Sequence, residues 1–149
     1  MKKFVFSLES VLGLRDWEEQ VSRQAFNEVS SEATLLEARI REMESEAVSV
    51  FDRWNASHVE TFTRGDRMVL MGSVDSMKRL EGEAKVSLEE ANRMREQAME
   101  KLKEAVRNKK VVERLKERRL ETHQAENIVH EAREIEDIYN ARRKGRSDS

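Results

Sequence analysis

Between residues 26 and 54 the apolar positions recur at alternating steps of three and four: Phe26, Val29, Ala33, Leu36, Ile40, Met43, Ala47, Val50 and Trp54. A mean spacing of 3.5 keeps one narrow apolar stripe on one side of a helix, the pattern of a coiled-coil seam rather than of a broad core-facing surface. Glu37 and Arg41 add an i,i+4 pair on the outside. Upstream, Ser7 is placed to cap a helix, Glu9 falls in its first turn, and Phe6 with Val11 has the spacing of a hydrophobic staple. Phe4-Val5-Phe6 is then the lead-in to a helix over about residues 7–56.

The pattern weakens through Asn55, Ser57, Thr61, Thr63 and Gly65-Asp66, residues that favour caps and turns over helix interiors. A connector is expected over about 57–73. Within it, Met68 to Met71 could form a short turn ending near Gly72, with Ser73 capping a second helix over about 74–141. The second seam is thinner: Met77, Ala84, Leu88, Ala91, Ala98, Leu102, Ala105 and Val112, interrupted by Glu81, Arg95 and Lys109, and resuming at Ile128, Ala132, Ile135 and Tyr139. Small residues here would let the helix axes approach closely. A basic tail follows over 142–149. The expectation is a single all-α domain, an elongated antiparallel two-helix coiled-coil hairpin spanning 1–149. A seam pairing two chains, as in a homodimeric spacer, would satisfy the same pattern.

Composition supports length rather than thickness. Charged residues make up 39% of the 149 positions, hydrophobic ones 38%, and there is no proline to break a helix. Without cysteine there is no disulfide, thiol nucleophile or cysteine-based zinc site. Glu9 interrupts the apolar start too early for a signal peptide, and no stretch reaches the roughly 18 apolar residues of a membrane helix. A cytoplasmic chain without membrane insertion is expected. Residues 1–60 carry 7 basic and 12 acidic side chains, whereas 101–149 carry 14 and 10. That asymmetry favours laying the two arms side by side.

Candidate chemistry is sparse. His123, Glu126 and His130 share a helix face, but a metal site in a bundle needs ligands on the facing helix, and the first helix offers only His58. With no phosphate loop, nucleophile elbow or carboxylate pair in a cleft, neither catalysis nor a cofactor is expected. Arg64-Gly65-Asp66 matches an adhesion tripeptide, yet turn chemistry explains it equally. The sharper feature is RNKKVVERLKERR, where Arg107, Lys109, Lys110, Arg114, Lys116, Arg118 and Arg119 outnumber Glu113 and Glu117. Three readings apply: a solvated face, phosphate binding, or docking on an acidic protein surface. Because no aromatic is interleaved for stacking on bases, nucleic acid is the weakest partner class of the three. Two apolar groups lie off the seam, Leu14, Trp17 and Val21 near the start and Met68, Leu70 and Met71 near the connector, and both are candidate partner contacts.

KKFVFSLESVLGLRDWEEQ, an acidic coiled coil, the segment TRGDRMVLMGSVDSMKRLEGE and a basic second helix together resemble the FliJ family of flagellar type III export proteins. The resemblance spans nearly the whole chain. It implies a two-helix rod similar to the stalk of rotary ATPases, lying in a hexameric flagellar export ATPase at the inner-membrane export apparatus and stimulating it. It further implies contacts with the export gate protein and with export chaperones. On that footing the end of the rod that carries Trp17 would enter the ring, and the connector end would face the gate. No residue-level contact is carried over from the family.

Overall fold

In the computed structural model the described residues, 2–57 and 62–148, form two α-helices, α1 over Glu9–Ser57 and α2 over Arg64–Ser147. The helices pack against each other as an all-α helical hairpin, with no strand among the described residues. The sense of packing is antiparallel, since Glu9 meets Lys116 while Asp16, one helical stretch later, meets Lys109.

Each helix starts where a specific backbone or side-chain bond allows it. At α1 the Leu8 carbonyl accepts the Leu12 amide at 2.9 Å and the Phe6 carbonyl accepts the Glu9 amide at 3.2 Å. Ser7, expected as the cap, instead has its hydroxyl engaged by the Arg119 guanidinium at 2.7 Å. At α2 the Asp66 amide donates to the Thr63 hydroxyl at 3.1 Å and the Thr63 amide donates to the Asp66 carboxylate at 3.2 Å. That reciprocal pair is a capping box, and Asp66 also complements the helix dipole. It starts α2 ten residues ahead of the expected position 74, so Met68 to Met71, Gly72 and Ser73 all lie inside the helix. Gly65 and Gly72 hold ordinary helical backbone. The adhesion-like tripeptide is therefore the first turn of a helix. The remainder of the expected connector, residues 58–61 with His58 and Thr61, lies outside the described residues. At its far end α2 continues to Ser147, past the expected 141.

The chain divides into two compact units, one made of Met1–Gln20 with Glu104–Ser149 and one of Val21–Lys103. In the second unit the seam has the expected register. Ala33 is fully buried and Ile40 is 7% exposed, facing a helix whose buried residues are Ala84, Ala91 and Leu102. Phe26, Val29, Leu36, Met43, Ala47, Val50 and Trp54 are all half-buried. Of the five buried residues, three are alanines, Ala33, Ala84 and Ala91, so the seam is thin. Glu81, an interrupting position, binds Lys85 at 3.0 Å. That hydrogen bond raises the Lys85 pKa. Near the connector Trp54 meets Phe62 edge-on, their ring centroids 6.4 Å apart.

In the first unit the lead-in runs extended along α2 with alternating sides: Phe4 lies against His123, Val5 points outward and Phe6 is buried. Ala105 and Val112 complete this core. Beyond Asn127 every described residue of α2 is exposed. The expected resumption of the seam at Ile128, Ala132, Ile135 and Tyr139 is therefore corrected: the apolar stripe exists but nothing covers it, because the lead-in reaches α2 no further along than Asn127.

Ile40 tests the register most sharply. Burial of an aliphatic side chain contributes about 1.5–3 kcal/mol, and an unpaired charge in its place adds a desolvation cost. Ile40→Asp should lower stability by about 3 kcal/mol or more in thermal or urea melts followed by circular dichroism. Melting within a few degrees of the parent would place Ile40 on the wrong face.

Candidate functional site

The basic residues of α2 sort into two sets by the direction of their faces. Lys109, Lys116 and Arg119 turn toward α1 and its lead-in. Lys109 Nζ lies 2.7 Å from an Asp16 oxygen and 3.0 Å from a Glu19 oxygen. These contacts, Asp16 first, hold its pKa well above the ordinary lysine value against the opposing effect of desolvation. Lys116 binds Glu9 at 2.9 Å and stands 5.9 Å above the Phe6 ring. Arg119 binds Ser7, with its guanidinium carbon 5.7 Å from the same ring. Phe6 is thus held beneath two cations, an arrangement in which ring quadrupole and charge attract.

Arg107, Lys110, Arg114 and Arg118 take the opposite face. Their spacing of three, four and four places them in one row along about three helical turns, and all four are exposed. Glu113 leans toward the seam and meets Lys109 at 3.8 Å. What remains outward is a row of four cations beside Val111, which is 66% exposed, with the exposed Glu117 three residues on from Arg114 at its edge. Such a row raises the local potential for an acidic partner and would act through long, flexible side chains rather than through a preformed pocket.

A family model described as "Flagellar FliJ protein" matches residues 4–146, nearly the entire chain. The chain belongs to the flagellar FliJ family. This FliJ chain is accordingly a component of the flagellar protein export apparatus, in a family that serves export structurally rather than by catalysis. No curated protein and no solved structure matches it. No helix among the described residues is long and apolar enough to cross a membrane.

The other sequence-derived candidates fall in several places. Leu14 and Trp17 are exposed on the α1 face turned away from the seam, Trp17 at 61%, and Val21 is also exposed. Met68 and Met71 are exposed at the start of α2, whereas Leu70 is half-buried, so the methionines and Leu70 do not form one outward group. Lys116 and Arg119, also expected as partner contacts, are engaged within the chain by the lead-in contacts just described. His123 also serves the lead-in: its Nε2 lies 2.9 Å from the Lys2 carbonyl oxygen, and its ring packs on Phe4. His130 instead lies 3.4 Å from Glu134. Sequence reasoning missed the N-terminal clamp, although the alternation of Phe4, Val5 and Phe6 was its signal.

The Lys109 cluster carries a pH-dependent prediction. A raised folded-state pKa contributes stability in full below the unfolded value, about 10.4, and that contribution is lost as pH rises through the folded value. Lys109→Met should therefore melt below the parent at neutral pH, where Asp16 and Glu19 are left facing each other, and the gap should narrow above pH about 10.4. A gap that is independent of pH would show that Lys109 acts through packing alone.

Proposed function

We propose that this FliJ chain is a non-enzymatic stalk of the flagellar export machinery, cytoplasmic and peripheral to the inner membrane, that binds and stimulates the hexameric export ATPase. The observation that carries the reading is the outward basic row Arg107, Lys110, Arg114 and Arg118 in the unit that also holds both ends of the chain. Lys110, Arg114 and Arg118 are exposed on the face opposite to that of Lys109, Lys116 and Arg119, and the sign and alignment of the row suit an acidic partner surface. Leu14 and Trp17 add an apolar contact on the outer face of α1. Trp17 and the basic row face away from the seam on different helices, so they are two separate contacts, the aromatic supplying an apolar anchor and the charge setting encounter and orientation. Contacts with the export gate and with export chaperones belong to the same proposal, and the exposed Met68, Val69 and Met71 at the start of α2 are the candidates for them. Methionine suits that role because its flexible thioether adapts to differing partners.

The homodimeric spacer reading loses ground because the seam it would need is filled within one chain. Nucleic acid remains disfavoured by the lack of aromatics along the basic row.

The test is ATP hydrolysis by the cognate export ATPase, titrated with the parent and with a variant carrying glutamate at Arg107, Lys110, Arg114 and Arg118. The variant should keep its helical circular dichroism and lose most stimulation, and stimulation by the parent should fall with added salt, since exposed charges are screened beyond about 8 Å at physiological ionic strength. Equal stimulation by both proteins would remove the row from the mechanism.

A further inference from the structure

The last twenty residues of α2, from Ile128 to Ser147, present an apolar stripe that nothing in the hairpin covers. Ile128, Ile135 and Tyr139 are 67%, 68% and 65% exposed, and Ile138 is 55% exposed at the edge of the same stripe. Ile128, Ala132, Ile135, Tyr139, Arg142 and Arg146 follow one another at steps of four and three, the spacing of a coiled-coil seam without its second strand. Isolated hydrophobic residues on a surface need no explanation, but an apolar seam sustained from Ile128 to Tyr139, about three turns, does.

Charge along the same stretch is segregated. Residues 131–137 hold Glu131, Glu134, Glu136 and Asp137 against one cation, Arg133, while residues 138–147 hold Arg142, Arg143, Lys144 and Arg146 with no acid at all. A helix end that is acidic in one half and basic in the other is complementary to itself when reversed. Parallel alignment would put each block on its own kind, which is destabilising, whereas antiparallel alignment pairs every block with its opposite.

We infer that the α2 overhang is a self-association surface whose partner is the overhang of a second copy of this chain, laid antiparallel about a two-fold axis near residue 137. In that register Ile135 of each copy packs on Tyr139 of the other. Arg142 and Arg146 lay their aliphatic stems over Ala132 and Ile128, with Glu131 about a turn away to receive their charges. Tyr139 already shares a shallow hollow with Arg142, Arg143 and Arg146, so the aromatic and the basic block form one contact surface. The interface is small, and the dimer is a weak, concentration-dependent one. It uses a face separate from the intramolecular seam and leaves the hairpin intact. It is independent of the proposed action on the export ATPase.

Sedimentation equilibrium of the full chain tests it. The mass should rise from one chain toward two with concentration and fall back with added salt. Ile135→Asp combined with Tyr139→Asp should abolish the rise while leaving helicity unchanged, because neither side chain packs on anything in the hairpin; Trp17→Ala should have no effect. Glutamate at Arg142, Arg143, Lys144 and Arg146 should weaken self-association roughly tenfold or more, as should lysine at Glu131, Glu134, Glu136 and Asp137, and a mixture of the two variants should associate again. A parent that stays monomeric throughout overturns the inference, as does a dimer that survives the Ile135 and Tyr139 changes. If the parent stays monomeric and the stripe is protected only when the export ATPase is added, the face belongs to that complex and the inference also fails.

Discussion

The structure depends on a seam that only one alignment of the chain can close. Ala33 and Ile40 of α1 and Ala84, Ala91 and Leu102 of α2 are buried, and the cation Lys109 within the α2 seam meets Asp16 and Glu19 on α1. Shifting either helix would set Lys109 away from Asp16 and Glu19, leaving a half-buried charge without its partners. Exposed ion pairs contribute little to stability, but a cation at a seam position penalises the wrong register heavily. Apolar burial supplies the stability here and charge supplies the alignment. The same division separates structural from available cations further along α2, since Lys116 and Arg119 fasten Phe6 and Ser7 while Lys110, Arg114 and Arg118 face solvent.

Much of this was legible in the sequence because a seam is a local, periodic signal. The nine positions from Phe26 to Trp54 and the thin run from Met77 to Val112 are the inward-facing residues of the two helices, with Glu81, Arg95 and Lys109 half-buried among them. The failures share a cause. Gly65, Gly72 and Ser73 suggested a break, but a capping box from Thr63 to Asp66 outweighs roughly 1 kcal/mol of glycine cost per position. Periodicity also marked Ile128 to Tyr139 as seam, though a period reveals which face is apolar and cannot tell whether a partner reaches it. The roles of Lys116, Arg119 and His123 were invisible for a related reason: they depend on residues more than a hundred positions away, in the irregular lead-in and at the first residue of α1.

Membership of the flagellar FliJ family gives these surfaces a setting. Under the proposed stalk reading the chain must keep its own fold without using up the residues that meet a partner, and the two opposed faces of α2 suit that. The inner cations are engaged by the fold, while the outer row faces solvent. The overhang extends the same logic to a third surface, apolar and self-complementary, on residues the hairpin does not use.

Lysine labelling read by mass spectrometry tests this division most directly, because lysines of both classes lie within seven residues of each other. In the free chain Lys110 should react readily, whereas Lys109 and Lys116 should react slowly, held by their carboxylate partners. On adding the cognate export ATPase, Lys110 should become protected while Lys109 and Lys116 stay as they were. Unchanged reactivity at Lys110 in a complex that forms, or rapid labelling of Lys109 and Lys116 in the free chain, would contradict the account.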